Sequence, residues 1–466
     1  MKHFYLALAV ACAACSAEHA GDRPDAGLAP DAPLASDAGP LALDAAGSGS
    51  GSGTWTATAA GGEIVVTRVA IDTDGTIALA GAFRGSAMLS SVTLTASGGL
   101  DGFVATYTAD GALRWAHAIG GCGDDALLDV AFDTAHDVVV GGYVTANGSA
   151  ACAPTLDGLA IAPAGAGSGA ELAVLGRFDP AGEPTWVRGY SAGIGSAEIS
   201  GLALGGAQLA VVGFRSDALD LGGGNVLPAT YGSFVAVLDA TTGDAAWAQP
   251  LDAASMGRVA IDGAHVAVAG TFTGTLATGG GPLTASMLAG FAVGYGRGSG
   301  DDEWQLAFAS TNNLHAGPIA ELADGTYWLG GEFDGTMTVT AGPVTVTGAT
   351  MVGFNDIGDT DALVAHVGAT GTVAISATVG TEGVEDVEDC AAAGGVVAIA
   401  GTEDDHGYVA RVAADASVLW RRTFASTADT ADANAVAVGP SGEVVVAGND
   451  YTGTLPTAIY VARIAP

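Results

Sequence analysis

The chain has 466 residues, with 50 acidic and 14 basic side chains, a formal net charge of −36 and glycine at 73 positions. So much glycine beside so few charged residues argues against a helical protein, because glycine is costly in helices and Lys, Glu and Arg are their usual surface. Lysine occurs once, at Lys2, and the arginines form no stripe, which excludes a GxxxxGK[ST] phosphate loop, Schiff-base chemistry and a nucleic-acid footprint.

The amino terminus reads as an address. Met1-Lys2-His3 precedes an apolar run from Phe4 to Ala14, too short for a bilayer span of ~20 residues but suited to a signal-peptide core. It ends in Cys12-Ala13-Ala14-Cys15-Ser16, which resembles a bacterial lipobox, although Cys12 stands where leucine is usual. The resemblance implies cleavage before Cys15 and its lipidation, with Cys12 as the alternative and ordinary cleavage nearby as a third course. It places the protein in a bacterial cell envelope, and Ser16 leans toward the outer membrane, at its periplasmic or surface face. Residues 1–15 are then a signal peptide. Residues 16–53 are mostly Ala, Asp, Pro, Gly and Ser, with too little apolar surface to fold. As a flexible tether they would hold their ends roughly 35 Å apart.

From residue 54 onward one unit repeats. Tryptophan recurs at 55, 115, 186, 247, 304 and 420, with Ile375 where another would fall, a mean spacing of about 61 residues. Before each site except Trp55 lies a strand, a tight turn and a second strand, as in the stretch Phe103 to Trp115, the stretch Phe234 to Trp247 and the stretch Tyr408 to Trp420. A second hairpin sits between these. It is clearest in the stretch Val69 to Phe83 and the stretch Val436 to Gly448, with Gly213, Gly270, Gly330 and Gly401 at the same place in other copies. Two hairpins make a four-stranded antiparallel unit A-B-C-D with the tryptophan on D. Such units repeated about an axis are β-propeller blades. Copies begin near 61, 116, 187, 248, 305, 377 and 421. The last lacks strand D, and the Trp55 segment is an unattached D strand. The expectation is an all-β, seven-bladed propeller over residues 54–466, closed by its N-terminal strand, which removes an exposed sheet edge.

The motif from Phe103 to Trp115, followed by Gly120-Gly121-Cys122-Gly123-Asp124-Asp125, is similar to the bacterial SBBP-type β-propeller repeat. Asp239 to Trp247 also resembles the repeat of quinoprotein-like propellers. These resemblances imply a fold and no particular reaction.

In a propeller the D–A and B–C connections gather at one mouth of the channel. Five B–C connections are long, near 85–101, 144–170, 215–232, 273–288 and 334–361, and long loops on a rigid scaffold are where binding resides. The D–A segments carry acids, of which Asp124, Asp125, Asp129, Glu385, Asp386, Asp429 and Asp432 form a candidate calcium set, since calcium takes six to eight oxygens. The competing reading is acidic turn residues in an acidic protein. Asp72, Asp74 and Gly75 read as turn formers. Among the histidines, only His315 and His406 fall near this mouth. Cys122 and Cys152 are candidates for a disulfide, and Cys390 reads as a buried apolar side chain. No HExxH, GxSxG or dinucleotide glycine motif occurs. The leading expectation is therefore a monomeric, surface-tethered binding module for a protein, glycan or cation, with no nucleic-acid partner and no catalytic residues. An extracellular hydrolase using carboxylates at the mouth and a structural envelope spacer are the alternatives.

Overall fold

A computed structural model of the chain describes residues 41–42, 55–146, 152–161, 169–310, 314–333, 336–341, 350–352, 361–378, 386–403, 406–413, 418–425 and 430–466. Everything described is strand, turn or irregular backbone apart from a single 3-10 residue. The strands form seven four-stranded antiparallel blades among the described residues. Blade 1 is the later part of Trp55–Ile71 with Ile77–Leu89, Val92–Tyr107 and Leu113–Gly120. Blade 2 is Ala126–Phe132, Val138–Thr145, Glu171–Phe178 and Pro184–Tyr190; blade 3 is Ala197–Gly205, Gln208–Arg215, Gly232–Asp239 and Ala245–Leu251. Blade 4 is Ala254–Ile261, His265–Leu276, Leu283–Gly296 and Asp302–Ser310; blade 5 is Leu314–Glu321, Tyr327–Phe333, Asp361–Val367 and Val373–Thr378. Blade 6 is Asp389–Ala393, Val396–Glu403, His406–Val412 and Val418–Ala425. Blade 7 takes Ala435–Val438, Val444–Thr452 and Leu455–Ile464 from the C-terminus and its fourth strand from the N-terminus.

That fourth strand closes the ring. The segment from Trp55 runs antiparallel to the last strand, with Trp55 opposite Arg463 and Thr58 opposite Tyr460. The innermost strands touch in blade order, and the seventh touches the first. Sheet boundaries lie later than the repeat starts near 116 and 187 suggest, because each outer strand continues past its tryptophan: blade 2 opens at Ala126 and blade 3 at Ala197.

Each blade repeats one tight contact. A Cβ on the strand-B glycine at 81, 142, 213, 270, 331, 401 or 448 would lie 2.0–2.2 Å from a carbonyl oxygen of strand A or, in blades 6 and 7, of the segment entering it. Only glycine lets the two backbones approach this closely. In blade 5 the glycine is Gly331, one residue beyond the Gly330 that the repeat pattern selects; Gly330 instead faces Pro318. Just after this contact the A strands of blades 1–5 carry a register irregularity, as between Val66 and Arg68 or Leu127 and Asp129. Such bulges re-aim a side chain.

Tryptophans on the D strands pack onto the next blade. Trp115 lies 5.3 Å from Phe178, Trp247 5.9 Å from Tyr295 and Trp304 5.9 Å from Tyr327, measured between ring centroids. The Trp247 indole also donates to the Arg297 carbonyl at 2.8 Å. Valine-rich B and C strands are buried on both faces, which is why they read as unbroken apolar runs.

Three long B–C connections carry short strands of their own, and in blade 3 Leu219–Asp220 pairs with Val226–Leu227. Thr155–Leu156 pairs with the outer strand of blade 1, and Thr336–Ala341 pairs with the outer strand of blade 4. Those of blades 1 and 4 are extensions of the hairpins themselves. Within the stretch expected to be a featureless tether, Leu41–Ala42 pairs in parallel with Phe424–Ala425 on blade 6.

Candidate functional site

Antiparallel connection places the D–A and B–C segments at one end of the ring and the A–B and C–D turns at the other. At the D–A end, Cys122 and Cys152 are joined by a disulfide with 4.9 Å between Cα atoms. It fastens the B–C connection of blade 2 to the segment entering that blade. Among the described residues, most of the exposed large apolar side chains lie at this end. Met88, Leu159, Val226, Tyr231, Met287 and Leu455 sit in B–C connections or their hairpin extensions, and Ile194 sits in a D–A connection; Leu419, on an outer strand, is the exception. Tyr231 stands against Phe214 with 4.8 Å between ring centroids.

The D–A carboxylates turn toward protein donors. Asp125 accepts from the Thr145 and Gly121 amides at 2.6 and 2.7 Å, and burial pushes its carboxyl up to about 7. Asp386 accepts from the Thr402 amide at 2.5 Å, and Asp432 from the Asn449 amide at 2.6 Å and the Tyr451 hydroxyl at 2.7 Å. In three blades, then, a D–A aspartate ties its segment to the end of strand B. Asp124 is exposed, accepts from the Leu100 amide at 2.9 Å and lies 3.5 Å from Arg84. Glu385 and Asp429 lie outside the described residues. Asp124, Asp125, Asp129, Asp386 and Asp432 do not share one coordination sphere among the described residues. Burial also raises Glu198 and Glu332 to about 7 and Asp432 to about 6. Asp386 and Glu388 are held above the ordinary carboxylate range by burial and then by neighbouring carboxylates. His315 and His406 are exposed at this end, on the first residues of their strands or next to them.

Asp129 belongs to a different group, at the waist of the channel. It is 2% exposed, lies 3.2 Å from Arg68 and 3.8 Å from Arg258, and accepts from the Leu202 amide of blade 3 at 2.8 Å. Asp389, fully buried, mirrors it: it pairs with Arg68, lies 4.0 Å from Arg258 and accepts from the Val436 amide of blade 7 at 2.8 Å. Burial alone would lower the Arg68 pKa, but the carboxylates of Asp389 and Asp129 raise it above its ordinary value. Two arginines and two aspartates from blades 1, 2, 4 and 6 thus form a neutral plug across the channel. Sequence reasoning singled out only Asp129. The signal was present: Arg68-Val69-Ala70, Asp129-Val130-Ala131 and Arg258-Val259-Ala260 place a charge at one repeat position.

Below the plug, toward the A–B turns, the channel widens into a cavity of about 460 Å³. Its lining mixes aliphatic side chains, including Ala70, Leu202 and Val259, with polar ones, including Thr73, Thr134 and Glu321, and Arg68 and Asp129 form its floor. This cavity lies on the face opposite the long connections. At its rim the A–B turns of blades 1 and 2 meet, where His136 Nδ1 is 2.6 Å from Asp72 Oδ2. Asp72 and Asp74 also hold the turn, accepting from the Thr73 amide at 2.6 Å and the Thr76 amide at 2.8 Å.

No protein-family model matches the sequence, and no curated protein matches it. Several solved structures that resemble it are propellers or WD40 domains. The Pan2 WD40 domain of Neurospora crassa is 9% identical, with a TM-score of 0.47 over 86% of this chain and 89% of that one. The WD40 domain of Toxoplasma gondii coronin is 10% identical, with a TM-score of 0.44 over 89% and 87%. The Dos1 propeller is 9% identical, with a TM-score of 0.42 over 87% and 93%. These likenesses concern architecture, and the β-propeller assignment stands on the strand pairing itself.

Proposed function

We propose that this chain is a lipid-anchored envelope protein whose propeller binds a protein partner through the face bearing the B–C connections. The observation that supports it best is the placement of Met88, Leu159, Val226, Tyr231, Met287, Leu455 and Ile194 at that end. Exposed apolar residues scattered singly are ordinary; here they concentrate at one end of the ring, the arrangement an interaction surface there calls for. Tyrosine is also among the residue types that dominate binding energy at interfaces. The lipobox-like Cys15, the 16–53 tether and the SBBP-like repeat supply the anchored part of the reading. A lipidated Cys15 would supply the membrane contact, and the tether would give the propeller a reach of tens of ångströms.

Photo-crosslinking residues introduced at Ile194 and Tyr231 in the full-length chain, in its native envelope, test the reading. Amine-reactive reagents are unsuitable, because lysine is absent after Lys2. The same discrete protein adduct from both positions, and none from Ser441 on the A–B face, is expected. Absence of any adduct, or an equal yield from Ser441, would overturn the binding face. Repeating the experiment with a calcium chelator decides whether calcium takes part. Mass analysis of the native N-terminus decides acylation separately.

A further inference from the structure

We propose that the A–B turns of blades 1 and 2 form a site for a divalent transition metal, with Asp72, Asp74 and His136 as its protein ligands. One ligand atom from each of these three residues lies within 4.8 Å of the other two, the one such trio among the described residues. Two other aspartate-bearing A–B turns are committed to other partners. Asp133 pairs with Arg177, and Asp262 is shared between the Tyr327 hydroxyl at 2.6 Å and His265 at 3.1 Å.

Two further features point to a bound ion. A cavity of about 110 Å³ opens between the two blades, lined by Asp72, Asp74 and His136 together with Thr76, Thr106 and Arg114. Thr106 is 1% exposed, and its hydroxyl has no hydrogen-bond partner. A hydroxyl buried in this way normally has one, and a water carried on the metal is a chemically fitting partner. Arg114 would compete with a cation if it paired with Asp74. It donates to the Thr76 hydroxyl at 3.0 Å and the Pro180 carbonyl at 3.4 Å and makes no direct pair with Asp74, although its guanidinium lies near enough to act on that carboxylate.

Ligand type selects the ion. An imidazole nitrogen with two carboxylates suits zinc, cobalt or nickel, whereas calcium takes six to eight oxygens. Three protein ligands leave a position for water. In a tetrahedral sphere with bonds of about 2.1 Å, His136 Nδ1 and Asp72 Oδ2 would stand about 3.4 Å apart. From 2.6 Å this is a side-chain shift of under about 1 Å, open to His136 because its side chain is half exposed.

The test uses untagged full-length protein, with zinc binding measured by equilibrium dialysis and cobalt binding by its visible absorption spectrum. His136 has a backbone φ of 67°, which asparagine tolerates well, so His136→Asn keeps the turn while removing the imidazole. Asp74→Asn alters an exposed carboxylate. Wild type is expected to bind one equivalent at micromolar concentration, and each variant to bind at least tenfold more weakly, whereas His265→Asn leaves binding unchanged. Thermal melting confirms that the variants fold. No bound metal in wild type would overturn the proposal, and so would undiminished binding by folded His136→Asn and Asp74→Asn proteins.

Discussion

Arg68 on blade 1 and Asp129 on blade 2 meet at 3.2 Å inside the central channel. Arg68 also reaches past blade 7 to Asp389 on blade 6. Each aspartate additionally accepts a backbone amide from the following blade, so the plug fastens neighbouring inner strands as well as balancing charge.

Removing one member should therefore cost more than removing a pair. Asp389→Ala leaves Arg68 with one carboxylate fewer and an unpaired Val436 amide, and is expected to lose about 3–5 kcal/mol. The double change Arg68→Met with Asp389→Leu should be far milder, because no buried charge of that pair remains. Denaturant unfolding measures both. Equal losses would mean that the amide contact outweighs the ion pair.

The strand-B glycines predict a steric penalty of a different kind. Gly213→Ala would place a Cβ 2.0 Å from the Glu198 carbonyl oxygen and should destabilise by at least about 1–3 kcal/mol. Gly263→Ala meets nothing within 4 Å and serves as the control, with little change. A melting comparison of the two checks the contact.

Stability should fall as pH rises above the acid range. Glu198 and Glu332 near 7 and Asp432 near 6, with Asp386 and Glu388 also raised, hold protons more tightly when folded than when unfolded. Their contribution is complete below the unfolded carboxylate pKa near 4 and is lost as pH passes through about 6 to 8. Asp239 and Asp324 are lowered by hydrogen bonds from Thr241 and Thr326; they act oppositely, and only in the acid below their ordinary value. The melting temperature should be higher at pH 5 than at pH 8, and Glu332→Gln with Glu388→Gln should flatten the slope.

Reducing the Cys122–Cys152 disulfide opens a link between residues 30 apart in sequence and is expected to cost about 2–4 kcal/mol. Cys390 is buried and free, so it should react with a thiol reagent only after unfolding. Titrating thiols under native and denaturing conditions, with melting before and after reduction, reads both effects.

Much of this architecture was legible in the chain. Tryptophan spacing and the incomplete last repeat point to the blades and to the N-terminal closing strand, because those features are local and repeat. What escaped depends on contacts between repeats. Arg258 and Asp389 resemble any surface charge until the ring turns the inner strands that carry them toward the channel. Asp72 and His136 are separated by 64 residues and meet only because adjacent A–B turns share an end of the ring. The D–A aspartates looked like gathered metal ligands because sequence shows their type and face, but not the amides that occupy their oxygens. Gly331 was misplaced by one residue because blade 5 carries two adjacent glycines at that point.

Cysteines substituted at Ala57 and Val461, opposite residues in the closing pair, test ring closure directly. Antiparallel partners stand about 4.5–5.5 Å apart between Cα atoms, within disulfide reach. Oxidation of the folded chain should yield a peptide joining residues 57 and 461, with a raised melting temperature. If native-like protein formed no such link, or residue 57 paired with another blade, the seventh blade would not be built from both ends of the chain.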